Sequence, residues 1–194
     1  PHPARLVSQA LVVGDHDPAA RVLLLTQMGE DHGVRAVPLS GEARPPPEGD
    51  PDGLRAIEDE QDLPALLAGE VHDVVLADYL IGAVEGFSPY FQEDLLRRLK
   101  PMVGRRLYVT GLDPYVVGEV PDAAARCVRE IGRLRDVCLL LADETPYREF
   151  PAEWVRDRLM EAGFRVLSAK RFSNRYRARW VDGQLDMALG RLPK

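Results

Sequence analysis

Asp78 and Tyr79 follow directly on the run Asp73–Ala77 (Asp-Val-Val-Leu-Ala). Its aliphatic centre reads as a strand buried on both faces of a sheet, and ligands of open α/β sheets sit just outside the carboxyl ends of such strands. A carboxylate and a phenol placed there can orient a hydroxyl, accept its proton or line a ligand, although an aspartate after a strand is also an ordinary turn residue. On the same edge the loop Gly82–Tyr90 carries Phe87 and Tyr90. It reads either as a substrate wall or as a plain strand-to-helix connection. Tyr147-Arg148-Glu149-Phe150 groups a phenol, a guanidinium and a carboxylate between two helices. That set can position an anionic or hydroxylated substrate; the alternative is an exposed polar linker with Glu149 near a helix start.

A second constellation lies near the end of the chain. Arg165, Lys170, Arg171, Arg175, Arg177 and Arg179 interleave with Phe172, Tyr176 and Trp180. Such a mixture can hold single-stranded RNA through phosphate contacts and base stacking, but a solvated hairpin offsetting the acidic remainder explains it more simply. With a net charge of -6, no global attraction to nucleic acid or anionic membrane exists, and neither is expected as a partner. Small molecules and proteins are the expected partners.

The four histidines are scattered and the two cysteines form no Cys-x-x-Cys, so no metal site is expected. Cys127 and Cys138 fall in one helical segment about 16 Å apart. They cannot pair there, and two free thiols suit the cytoplasm or another reducing compartment. No Gly-x-Ser-x-Gly, phosphate loop or His-Glu-x-x-His is present, which leaves hydrolytic and nucleotide-cleaving chemistry without a local motif. Asp113, Asp136 and Asp143 stand as isolated carboxylates, expected at the surface or at caps. No run reaches the 18 or so apolar residues of a membrane span and no leader-like segment is visible; because the chain begins at Pro1 rather than Met, residues are expected to precede it.

The elements that must position these residues follow from apolar spacing and breakers. The 194 residues, 45% hydrophobic and 29% charged, suit a single domain over 1–194. Ala10–Val13 reads as a first strand closed by Gly14. Asp17-Pro18 starts a helix through Arg21, Leu24 and Gln27 to Gly29 or Gly33, with a strand over Val22–Leu25 as the alternative. Val34–Leu39 and Leu54–Ile57 are strands flanking the proline-rich loop Gly41–Gly53, and Asp62–Gly69 is a short helix. Ser88-Pro89 starts a helix carrying Phe91, Leu95, Leu96 and Leu99 that stops at Lys100-Pro101, and Arg106–Thr110 is a strand turned by Gly111. Ala124, Cys127, Val128, Ile131, Leu134, Cys138 and Leu141 repeat every three or four residues, predicting an amphipathic helix over Asp122–Leu141. Pro151 opens a helix through Trp154, Val155, Leu159 and Ala162 that ends at Gly163. Phe164–Ala169 and Gln184–Leu189 read as two closing antiparallel strands.

Strands alternating with helices and closed by a hairpin predict an α/β fold, a Rossmann-like three-layer sandwich whose sheet is mostly parallel with an antiparallel C-terminal strand. Within that order, the passage from Leu96 to Val109 (Leu-Arg-Arg-Leu-Lys-Pro-Met-Val-Gly-Arg-Arg-Leu-Tyr-Val) resembles the link between the fourth helix and fifth strand of class I S-adenosylmethionine-dependent methyltransferases. His72–Ala77 is similar to that family's fourth strand, Asp59 with Asp62-Leu63-Pro64 to its acidic loop, and Ala162-Gly163-Phe164 to its late helix-to-strand passage. The resemblance runs from about Ala10 onward. It implies a methyltransferase, with S-adenosylmethionine bordered by Gly14, Asp15, Asp59, Asp62, Leu63 and Asp78. It further implies Asp78 and Tyr79 at the reacting methyl group, and with that reading Phe87, Tyr90, Tyr147 and Arg148 are the residues expected to face the acceptor. Leu11-Val12-Val13-Gly14-Asp15-His16-Asp17-Pro18 keeps one glycine of the family's cofactor turn, where His16 and Pro18 add side chains, and Pro38 stands where the family's ribose-binding acid belongs. A methyltransferase-fold scaffold or subunit that has lost cofactor binding is therefore the alternative.

Overall fold

The computed structural model describes the backbone of residues 5–10, 22–27, 34–40 and 55–57, and residues 69–86, 88–117, 120 and 122–191. Its strands are β1 (Arg5–Ala10), β2 (Val22–Gln27), β3 (Val34–Ser40), β4 (Arg55–Ile57), β5 (His72–Asp78), β6 (Val103–Leu112) and β7 (Lys170–Arg175). Its helices are α1 (Leu80–Ala83), α2 (Gln92–Leu99), α3 (Ala123–Leu141), α4 (Ala152–Glu161) and α5 (Ala178–Arg191), with 3₁₀ turns at Val84–Gly86 and Lys100–Met102. The architecture is mixed α/β. The strands form one sheet in the order β4-β3-β2-β5-β6-β1-β7.

Parallel pairing joins β2 to β5 and β5 to β6, while the other pairings are antiparallel. The expected mostly parallel sheet is thus confined to its centre, and the antiparallel character extends beyond the C-terminal strand. The expected helix from Asp17 is also replaced, since Val22–Gln27 is the strand lying between β3 and β5. A short aliphatic run has no helical period of its own, and two strand partners decide its state. The first described strand is Arg5–Ala10; of the strand expected over Ala10–Val13, residues 11–13 lie outside the described residues, as do the proline-rich loop and most of the helix expected at Asp62–Gly69.

β5 and β6 form where expected. Val75 and Ala77 are buried, and β6 extends past Gly111, which pairs with Gln9 rather than turning the chain. Between them, α2 buries Gln92, Leu95, Leu96 and Leu99 at helical spacing, with Glu93 and Asp94 in its first turn and Arg97 and Arg98 in its last, the order the helix dipole favours. It starts at Gln92, later than Ser88-Pro89 suggested, because those two residues make a turn in which Phe91 N–H donates to the Ser88 carbonyl. The helix then tightens through Pro101 into β6. α4 packs Val155 and Leu159 into the same core, and Gly163, at φ 82, takes the left-handed position that follows it.

Two expectations at the C-terminus fail. Phe164–Ala169 has no regular structure, because Phe164 N–H closes the end of α4 on Leu159 and Lys100 lies over the Phe164 ring. The alternation of Leu185, Met187 and Leu189 mimics a strand, yet 184–189 belongs to α5, which packs on α3. A second, smaller cluster sits at that contact, where Tyr115, Ala125 and Val128 are covered by Val116, Tyr176 and Trp180. No helix among the described residues is long and apolar enough to cross a membrane.

The two kinds of support should separate on substitution. Leu96→Ala removes a fully buried side chain and should cost about 3 kcal/mol in chemical denaturation. Asp122→Ala removes the side-chain cap to Ala125 N–H at 2.7 Å and should cost about 1 kcal/mol.

Candidate functional site

A cleft of about 1040 Å³ opens at the carboxyl ends of β5 and β6, lined there by Tyr79 and Leu112. Its position follows from the parallel pairing of the two strands, which brings both carboxyl ends to one edge. α1 and the following turn contribute Ala83 and Glu85, the loop after β6 gives Tyr115, Val116 and Val117, and α3 gives Arg135, Asp136, Leu139 and Leu140. The connection from α3 to α4 supplies Tyr147, Arg148 and Glu149, and α5 adds Trp180, Gln184, Met187 and Arg191. The last four recur at helical spacing, so one face of α5 forms a wall.

Asp78 ties the two strands together. Its Oδ1 accepts from the Thr110 hydroxyl at 2.5 Å, and the same hydroxyl oxygen accepts from Tyr79 N–H at 3.1 Å. Tyr79 leaves β5 in the left-handed region at φ 52, which turns its ring toward the cleft while Asp78 stays outside the lining. Near the mouth, Glu85 is buried and receives Gln92 Nε2 at 2.7 Å, Tyr90 N–H at 3.1 Å and Arg148 Nη2 at 3.2 Å. Arg148 also lies over the Tyr90 ring, 5.0 Å from its centroid. A carboxylate with several charge-assisted partners costs little to bury and anchors the arginine that borders the opening.

Deeper in, Arg135 is only 9% exposed. Its Nη1 donates to Tyr115 Oη and to Gln184 Oε1, each at 2.9 Å, and Nε and Nη2 both donate to Asp136 Oδ1. Burial works against the charge, but Tyr115 and Asp136 outweigh it and hold the arginine above its ordinary pKa. Burial likewise raises Tyr115, with Arg135 opposing. α3 can seat this group because Gly132 lies one turn away, where a Cβ would come within 2.8 Å of Val116 Cγ1 and 2.9 Å of Tyr115 Cε2.

Glu149 is the outlier among the cleft's acids. Its carboxylate accepts from Leu112 N–H at a long 3.5 Å and has no ion pair among the described residues. It packs over Gly82, where an added Cβ would lie 2.7 Å from the carboxyl group. Burial pushes its pKa up to about 7, against smaller lowering effects from Leu112 N–H and Arg135. A carboxyl group that titrates near neutrality on a cavity wall can accept or return a proton.

Of the site residues expected from the sequence, Tyr79, Tyr90, Tyr147 and Arg148 line this one cleft. Asp78 instead bridges strands. Gly14, Asp15, Asp59, Asp62, Leu63 and Phe87 lie outside the described residues, as do His16 and Pro18, while Pro38 sits in β3 opposite Leu23. Asp113, expected to be isolated, joins the start of α4 to β7 through Ala152 N–H and Arg171. The basic-aromatic set is divided: Arg171 pairs with Asp113 and Glu153, and Tyr176 and Trp180 pack with Tyr115 at centroid distances of 6.4 and 6.5 Å.

Glu85, Tyr115 and Arg135 carry the polar structure of the cleft without having been singled out. A signal for Arg135 existed: Val128, Gly132, Arg135 and Leu139 share one helical face, so an arginine interrupts a stripe of apolar and small residues. No protein-family model matches the chain, and no characterised protein or solved structure is significantly similar to it.

Because the folded pKa of Glu149 is raised, the folded chain holds a proton between about pH 4.5 and 7 that the unfolded chain releases. Stability should therefore fall as pH rises through that window, by up to about 3 kcal/mol and less where water in the cleft reaches the carboxylate. Glu149→Gln should flatten this part of the profile, read from denaturation midpoints at pH 4, 6 and 8.

Proposed function

We propose that the protein is an S-adenosylmethionine-dependent methyltransferase whose acceptor is a small molecule held in the cleft between β5, β6 and α5. The observation carrying this reading is the cleft's place outside the carboxyl ends of two parallel strands, with Tyr79 immediately after β5. It falls within the part of the sequence, from Asp73 onward, whose passages carry the resemblance to class I methyltransferases. A cavity of about 1040 Å³ is at the upper end of the range for ligand pockets and favours a small acceptor over an extended chain.

The residues of the cleft suit the donor's chemistry. Tyr79, Tyr90 and Tyr147 line it with aromatic surface that can pack against a purine or a sulfonium cation. When bound, the donor supplies an electrophilic methyl group that needs chiefly an aligned nucleophile. The chain's own part is then to hold the acceptor against Tyr79 and Leu112, to border the opening with the Arg148–Tyr90 pair, and to keep bulk water from the reacting groups.

Calorimetric titration with S-adenosylmethionine and with its demethylated product tests the reading. Binding at micromolar affinity, with a matching rise in melting temperature, is the expected result. No heat and no thermal shift at millimolar ligand would remove the enzyme and leave a scaffold that has lost its cofactor.

A further inference from the structure

We infer that the cleft takes a hydroxylated aromatic molecule, a phenol, whose hydroxyl donates to the Glu149 carboxylate while its ring packs among the aromatic and aliphatic walls. This deepens the methyltransferase reading, on which the role of the phenol as acceptor rests.

Three observations converge on Glu149. First, the cleft walls are mainly apolar, with Tyr79, Tyr147, Trp180, Leu112 and Met187 contributing flat or flexible surface. Such walls bury a ring well and reward no second charge on the ligand. Second, the other charged groups of the cleft are already engaged: Glu85 with Arg148, Gln92 and the Tyr90 amide, Arg135 with Tyr115, Gln184 and Asp136, and Arg191 with Glu144 at 3.3 Å. Third, Glu149 has one long backbone hydrogen bond and no cation within ion-pair distance among the described residues, so it retains acceptor capacity toward the cavity. Gly82 leaves the space in which this carboxyl group sits.

Few groups compete for the proton. Among the described residues, Tyr115 from the loop after β6 and Arg135 from α3 are the charged or titratable side chains that act on Glu149, α1 presents Gly82, and β6 presents the Leu112 amide. Arg148, next in sequence, is turned toward Glu85 and Tyr90. The charged carboxylate is the better acceptor for a phenol proton than its protonated form. Affinity for a phenol should therefore rise with pH across the titration of Glu149, whereas affinity for the corresponding ether should not.

The probe is 2-naphthol, with 2-methoxynaphthalene as the ring-matched control lacking a donor, titrated into the full chain by fluorescence at pH 6, 7 and 8. No methyl donor is present, so this experiment and the cofactor titration can fail independently. The wild type should prefer 2-naphthol at least tenfold at pH 8 and several-fold less at pH 6, and Glu149→Gln should lower the preference and remove its pH dependence. Gly82→Ala, which displaces the same carboxyl group without altering it, should weaken the preference as well. Equal affinity for the two compounds, a preference independent of pH in the wild type, or binding of neither would overturn the inference, and the wild-type profile decides this even if a variant does not fold.

Discussion

The parallel pairing of β5 with β6 is the constraint on which the rest of the described structure depends. Parallel neighbours cannot be joined by a tight turn, so the chain between them must cross over, and it does so through α1, the following 3₁₀ turn and α2. That crossover fills the core with Leu80, Leu95, Leu96 and Leu99 and also returns β6 with its carboxyl end beside that of β5. The cleft is a consequence. Asp78 and Thr110 clasp the two ends, and Tyr79 and Leu112 are the first residues free to line what lies beyond them.

Around that edge, two buried charges and one half-buried acid are handled in three ways. Glu85 is surrounded by donors from the Tyr90 backbone, Gln92 and Arg148, which makes it a joint between the crossover and the segment before α4. Arg135 is a joint between α3, the loop after β6 and α5, with Tyr115 and Gln184 as its far partners. Both arrangements satisfy a charge that would otherwise be costly in a low-dielectric setting. Glu149 has no such set of partners, and desolvation pushes its pKa up to about 7, toward the neutral form. The contrast between two satisfied charges and one underused acid gives the cleft a direction, with a proton acceptor on a wall that is otherwise apolar.

Glycine at two positions makes these arrangements sterically possible. Gly132 lets Tyr115 and Val116 lie against α3, and Gly82 lets the Glu149 carboxyl group lie against α1. Neither is at a positive φ, so the requirement is space and not backbone conformation. Each becomes meaningful only beside its partner, some 17 or 67 residues away in the chain.

What the sequence alone determined is local. The aliphatic centre of β5, the Leu95–Leu96–Leu99 face of α2, the extent of α3 from its Asp122 cap and the start of α4 at Pro151 all depend on spacing, capping and breakers within a few residues. Four of the cleft residues, Tyr79, Tyr90, Tyr147 and Arg148, were legible because aromatic and charged groups beside element ends are drawn to such edges. Tertiary structure decided what depends on distant partners. It made Val22–Gln27 a strand through β3 and β5, and it turned 184–189 into helix against α3. It also rotated the buried face of α3 so that Arg135 points inward while Leu134 and Leu141 are exposed, because a guanidinium can be buried only where Tyr115, Asp136 and Gln184 converge on it. Glu149 shows the same division: its carboxyl group is plain in the sequence, but the burial that tunes it comes from packing against Gly82 and Leu112.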